Sequence, residues 1–351
     1  MTSRKRILEA IRHGTPDRIP VSPFGLGALD PDGAMARELI EKTDPFISVG
    51  VGGNPFTGSA AVPRVIQEGD TRISTYDTPK GELVTRFRRT DVTGATVEYA
   101  IKSPEDVEKF LSMPFEPANV DLTGYKEWSD RVGEEAFVLA DLPDAICLPA
   151  TWLSPQDFCT WWADYPDLMR KLTSIAASRL NEFVHRLCRE GVGAFRIIGG
   201  EYASVQLGPS GFDALVTPFD TELVNIIHSY GGIAYYHNHG SVMRFLDRLA
   251  DLGIDALDPL EAPPWGDVDI GEATRQIGDR VCLVGNLDDM EIIDALPTER
   301  VVAIAEQRVA AAGGSGFILG GTASGTYTER GARNFIAMAE MVRGRMRTDG
   351  P

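Results

Sequence analysis

The sequence predicts an α/β fold, a single (β/α)8 TIM barrel with a small β-hairpin insertion, and two observations carry that expectation. Eight short apolar runs of strand character alternate along the chain with amphipathic helical stretches. No linker, internal repeat or low-complexity segment divides the 351 residues, so they read as one domain, 1–351, of a length that suits one large barrel. An open doubly wound sheet is the other architecture this alternation permits.

The elements follow in order. Residues 4–13 place Ile7, Leu8 and Ile11 on one helical face, with Ser3 as the expected N-cap. Pro16-Asp17-Arg18-Ile19-Pro20-Val21 ends that helix and opens the first strand. Phe46-Ile47-Ser48-Val49 forms the second and runs out into Gly50, Gly52 and Gly53. Over about residues 71–101 the pattern changes. Stretches 73–76, 82–87 and 95–99 alternate polar with apolar and are separated by turn signals at Pro79-Lys80-Gly81 and Thr93-Gly94, which predicts an antiparallel insertion outside the βα rhythm. The rhythm resumes with strand runs at 136–140, 194–198, 233–236, 256–257, 281–284 and 316–319. Helices are expected at 167–190, 212–230, 241–252, 269–277 and 298–312.

Composition narrows the partners. With 34 basic against 51 acidic residues, the net charge of −17 repels phosphate backbones and anionic lipid, so nucleic acid and membrane are poor candidates. No apolar run approaches the roughly 20 residues of a membrane span. The basic start Met1-Thr2-Ser3-Arg4-Lys5-Arg6 lacks the apolar stretch of a signal peptide. Cys147, Cys159, Cys188 and Cys282 are scattered without a CxxC pair, and Cys188 and Cys282 read as inert core. Cytoplasm is the expected compartment.

Two of the five histidines stand in Tyr235-Tyr236-His237-Asn238-His239-Gly240, at the end of an expected strand. Residues two apart on a strand share a side, so both imidazoles face one way. That suits a metal or an acid–base site; an ordinary pair of partly buried histidines fits the same spacing. Barrels carry their chemistry at the C-terminal strand ends. Those ends here read Gly199-Gly200-Glu201-Tyr202, His237-Asn238-His239, Asp258 with Glu261, Gly285-Asn286-Leu287-Asp288-Asp289 and Gly320-Gly321-Thr322. Asn286 and Asp288 suit substrate polar groups, or the cap of a helix near Met290. Tyr202, Tyr236 and Trp265 suit an aromatic wall or plain packing, and Trp161-Trp162 suits packing or the surface of a homo-oligomer.

Seven segments in order resemble the uroporphyrinogen decarboxylase superfamily. They are Pro16-Asp17-Arg18-Ile19-Pro20-Val21, Thr75-Tyr76-Asp77-Thr78-Pro79-Lys80-Gly81-Glu82-Leu83, Ile101-Lys102-Ser103-Pro104-Glu105-Asp106, Asp164-Tyr165-Pro166-Asp167, Gly266-Asp267-Val268-Asp269-Ile270, Gly285-Asn286-Leu287-Asp288 and Asn334-Phe335-Ile336-Ala337-Met338. The resemblance implies a TIM barrel and one of two chemistries, decarboxylation of uroporphyrinogen or methyl transfer to or from a corrinoid. Family decarboxylases carry an Arg-Gln-Ala-Gly-Arg-like segment after the first strand. Ser22-Pro23-Phe24-Gly25-Leu26-Gly27-Ala28 holds no basic residue there, which disfavours a substrate with many carboxylates.

The corrinoid-dependent methyltransferase branch carries His-x-Cys after the fifth strand and a further Cys near the eighth, on zinc. Here His237-Asn238-His239 stands at the first motif, and Gly320-Gly321-Thr322-Ala323-Ser324-Gly325 has no Cys. By the resemblance, zinc or another divalent metal would sit on His237 and His239, with Glu201 completing the set. Imidazoles in place of thiolates leave a metal more electrophilic, which suits an oxygen-bearing substrate over a thiol. The expected function is a methyltransferase or demethylase, working between a small molecule and a corrinoid carried by a partner protein. A metal-dependent hydrolase or lyase, and a metal-free binding barrel, are the alternatives.

Overall fold

The computed structural model describes residues 1–91, 93–322 and 325–348; of the expectations above, those on Ala323, Ser324 and the last residues lie outside the described ones. Twelve strands are present among them: β1 Val21–Ser22, β2 Phe46–Gly50, β3 Arg64–Glu68, β4 Thr71–Thr78, β5 Gly81–Arg89, β6 Gly94–Glu98, β7 Phe137–Pro143, β8 Ala194–Ile198, β9 Ile233–His237, β10 Ala256–Asp258, β11 Cys282–Asn286 and β12 Phe317–Gly320.

Eight of these form one parallel sheet in the order β1-β12-β11-β10-β9-β8-β7-β2, which is chain order read around a circle. A parallel bridge between Phe24 and Phe46 joins the ends, with the Phe46 amide donating to Pro23 O at 3.0 Å and the Gly25 amide to Phe46 O at 2.8 Å. The expected barrel is therefore present, and the open doubly wound sheet is not.

Alternation along the strands sorts the core. Phe46, Phe137, Leu139, Ala194, Ile233, Tyr235, Ala256, Cys282, Val284 and Ile318 form one cluster with Phe24. Phe46 meets Tyr235 at 5.1 Å between ring centroids, although β2 and β9 are not neighbours in the sheet, so this cluster fills the barrel's lumen. Intervening residues pack outward against the helices. The helix Ser3–Ile11 closes the lumen's N-terminal end with Ile7, Ala10 and Ile11. Its N-cap is Thr2, whose hydroxyl accepts the Lys5 amide at 3.3 Å, one residue before the expected Ser3. Ser3 instead donates to Asp44 at 3.0 Å.

Asp44, fully buried, ties this end together. It accepts from Arg6 and Arg18 and from the Val21 amide at 3.0 Å. Arg18 in the segment before β1 is thus a countercharge inside the scaffold. The Asp44 carboxylate is satisfied on every side, as a buried charge must be.

The insertion is larger than expected. It is a four-stranded antiparallel sheet, β3-β4-β5-β6, that begins at Arg64. Every residue of β3 is exposed, so its sequence Arg-Val-Ile-Gln-Glu lacks the polar–apolar alternation that marks a half-buried strand. The expected helix at 212–230 is two helices, Gly208–Leu215 and Thr217–Ser229. No described helix is long and apolar enough to cross a membrane.

Candidate functional site

Register places the chemistry. Ile198, His237 and Asp258 lie level on β8, β9 and β10, and Asn286 and Ser22 both pair with Gly320 of β12. Below them Asp141, Arg196 and Tyr235 are level on β7, β8 and β9. The C-terminal end of the lumen is accordingly polar where its floor is aromatic.

His237 is buried, and its Nδ1 lies 2.8 Å from Asp258 Oδ1. His239 is more open, and its Nδ1 lies 3.0 Å from Glu261 Oε1; the second Glu261 oxygen accepts the Gly240 amide at 2.6 Å. The rings meet edge to face, centroids 4.4 Å apart. Each imidazole is therefore oriented by its own carboxylate, leaving Nε2 as its outward atom. The hydrogen bond that His239 makes to Glu261, with the Glu261 charge, raises the His239 proton affinity, with smaller contributions from Asp258 and Glu201, against the opposing effect of burial. Burial would raise the Glu261 carboxyl, but its bonds to His239 and Gly240 outweigh it and hold that group below its ordinary value.

Around this pair, buried polar atoms lack protein partners: Ser22 Oγ, Arg196 Nε, Tyr235 OH, Asp258 Oδ2 and both side-chain polar atoms of Asn286. An unsatisfied buried polar atom is costly, and six of them converging from β1, β8, β9, β10 and β11 mark a place built to hold a polar ligand.

The other expected site residues are distributed as follows. Tyr236 does not enter the lumen: one residue out of phase with Tyr235 and His237, it is fully buried behind β9, donating to Asp220 Oδ2 at 2.7 Å. Asp220 and Asp144 are both fully buried there; burial pushes Asp220 up to about 7, and burial with the Asp220 charge raises Asp144. Glu201 opens the short helix Glu201–Ser204 with Oε2 buried and unpartnered, close enough to act on the charge of Asp144, Cys147, Tyr236 and His239. Among the described residues, no group of three or more His, Cys, Asp or Glu could hold a metal ion, so His237, His239 and Glu201 are not gathered into a ligand set. The residues as placed do not fit the expected zinc.

Tyr202 is half-buried against Phe158, and burial pushes its phenol up to about 12. Trp265, Asn286 and Asp288 do come together, lining with Glu261 a cleft of about 50 Å³ at the rim. Asp288 is also a helix cap, accepting the Met290 amide at 2.9 Å and the Glu291 amide at 2.6 Å. Val205, Trp265 and Met290 stand exposed on the segments that follow β8, β10 and β11.

Sequence reasoning passed over Arg196 and Tyr235 as site residues. One signal was available: Arg196 is a charge in the middle of the apolar run Ala194–Ile198, and phase alone puts it on the same side of its strand as the lumen residues.

A closed parallel barrel with a polar mouth and two carboxylate-held histidines defines a (β/α)8 protein of the enzyme type, its site on the C-terminal face. The chain belongs to the uroporphyrinogen decarboxylase family, whose model matches residues 90–345. Among solved structures it is similar to a methyltransferase from Methanosarcina mazei, with 14% identity, 97% of this chain and 98% of that one covered, and a TM-score of 0.65. A B12-independent methionine synthase from a Shewanella species is more distantly similar, with 16% identity, 73% of each chain covered and a TM-score of 0.49. No curated protein matched the chain significantly.

Proposed function

We propose that this protein transfers a methyl group between a small oxygen-bearing molecule and a corrinoid presented by a partner protein. The observation that carries the reading is the His237–Asp258 and His239–Glu261 pair at the mouth, beside a first-strand end without basic residues. That end carries no basic residue of its own, and the one guanidinium that lies over its Phe24, that of Arg196, is too little countercharge for a many-carboxylate tetrapyrrole, which turns the family's two chemistries toward methyl transfer. The likeness to the Methanosarcina methyltransferase along almost the whole chain agrees with this choice.

The mechanism uses the residues as they lie. A reduced corrinoid, when bound, supplies the nucleophile for the methyl carbon. His239, with its proton affinity raised by Glu261, donates a proton to the substrate oxygen as the carbon–oxygen bond breaks, so an alcohol or phenol leaves instead of an anion. His237, fixed by Asp258, holds the same oxygen with Nε2. Tyr235 and Asn286 supply hydrogen bonds to the rest of the substrate. Val205, Trp265 and Met290 give the rim an apolar surface for the partner. No step is routed through a metal.

The test is isotopic. Methyl ethers labelled in the methyl carbon, incubated with the protein and a reduced corrinoid, should yield labelled corrinoid and free alcohol. Decarboxylation of uroporphyrinogen at an enzymatic rate would refute the reading.

A further inference from the structure

Arg196 is the charged part of the mouth that the mechanism leaves without a task. It sits in the centre of β8 with its side chain only 11% accessible. Its guanidinium lies over the Phe24 ring, 4.4 Å from the centroid. Its nearest carboxylate, Asp141 Oδ1, is 3.7 Å from Nη1, outside hydrogen-bond range, and already accepts the Ser48 hydroxyl. Nε is buried without a partner, and the side chain donates no hydrogen bond to any described residue. A nearly buried guanidinium whose Nε is shut away from solvent and bonded to no described residue is a costly arrangement in a folded chain, unless a ligand completes it.

We infer that Arg196 receives a single carboxylate of the small molecule that enters the barrel. This rests on the reading of the mouth as the substrate site. A planar guanidinium held against an aromatic face offers two parallel N–H groups, the geometry that matches a carboxylate. One such cation suits one carboxylate; it does not suit the many of a uroporphyrinogen. The whole-protein charge of −17 opposes an incoming anion, so a dedicated local cation is needed to admit one. Phe24, Phe46 and Tyr235, packed ring to ring beside Arg196, offer an apolar floor for the carbon skeleton.

Binding of benzoate and of benzamide to the full-length protein, followed by NMR titration without corrinoid or methyl donor, tests the inference. Wild type should bind benzoate more tightly than benzamide by about tenfold or more. Arg196→Met should remove that preference while leaving benzamide binding unchanged. Arg196→Lys keeps the charge but loses the fork, and should keep a reduced preference; it serves equally if the Met variant does not fold. Equal binding of the two probes by wild type, or an undiminished preference for benzoate in both variants, overturns the inference. Because no methyl group moves in this experiment, its result is independent of the methyl-transfer assay.

Discussion

The His237 and His239 rings meet edge to face with centroids 4.4 Å apart, and each is held at Nδ1 by a different carboxylate, Asp258 and Glu261. The two partners are three residues apart at the end of β10, so one strand end orients both imidazoles of the next. Burial separates the two: His237 is closed in, whereas His239 is open to solvent.

The raised proton affinity of His239 gives a pH prediction. Its proton is held below the ordinary imidazole value of about 6.5 and is lost as pH rises through the higher folded value. Activity should therefore fall on the alkaline side. Glu261→Gln removes the carboxylate charge, so the alkaline limb should move down toward pH ~6.5 and the rate at pH 8 should drop by about 10- to 100-fold. A kcat–pH profile of wild type and Glu261→Gln checks this; an unchanged alkaline limb would take the proton-donor role from His239.

A second prediction concerns divalent metals. With no gathered ligand set among the described residues, the proton-transfer mechanism expects activity to persist after chelation and dialysis. Elemental analysis beside the activity assay decides it. Loss of activity on chelation, restored by zinc and absent in His237→Ala, would move both histidines from proton transfer to metal ligation.

Stability depends on the far end of the barrel. Asp44→Ala leaves Arg6, Arg18 and the Val21 amide without their shared acceptor and unties the helix Ser3–Ile11 from β1. Breaking a buried charge network by removing one partner costs about 3–5 kcal/mol. Urea unfolding should show that loss; a variant as stable as wild type would mean that Asp44 is not what holds this end.

Much of the fold was legible because it rests on periodicity. The eight lumen strands showed as apolar runs, and their order around the barrel follows chain order. β3 was not legible, since a strand exposed on all residues leaves no pattern of burial. The site was legible in part. His237 and His239 stood out by type and spacing, and Asn286, Asp288 and Trp265 do share the rim cleft. Tyr236 was misplaced although strand phase opposes it to His237. The pairing of each histidine with a carboxylate, and the isolation of Arg196, depend on strand register and loop path, which no local motif encodes.

Methyl transfer is tested most directly by the absorbance spectrum of a reduced corrinoid protein mixed with this protein and a panel of methyl ethers. The mechanism predicts conversion to the methylated corrinoid spectrum with at least one ether, with a rate reduced about 10²- to 10⁴-fold in His239→Ala. A spectrum that never changes with any ether or corrinoid, or a His239→Ala variant as fast as wild type, would contradict it.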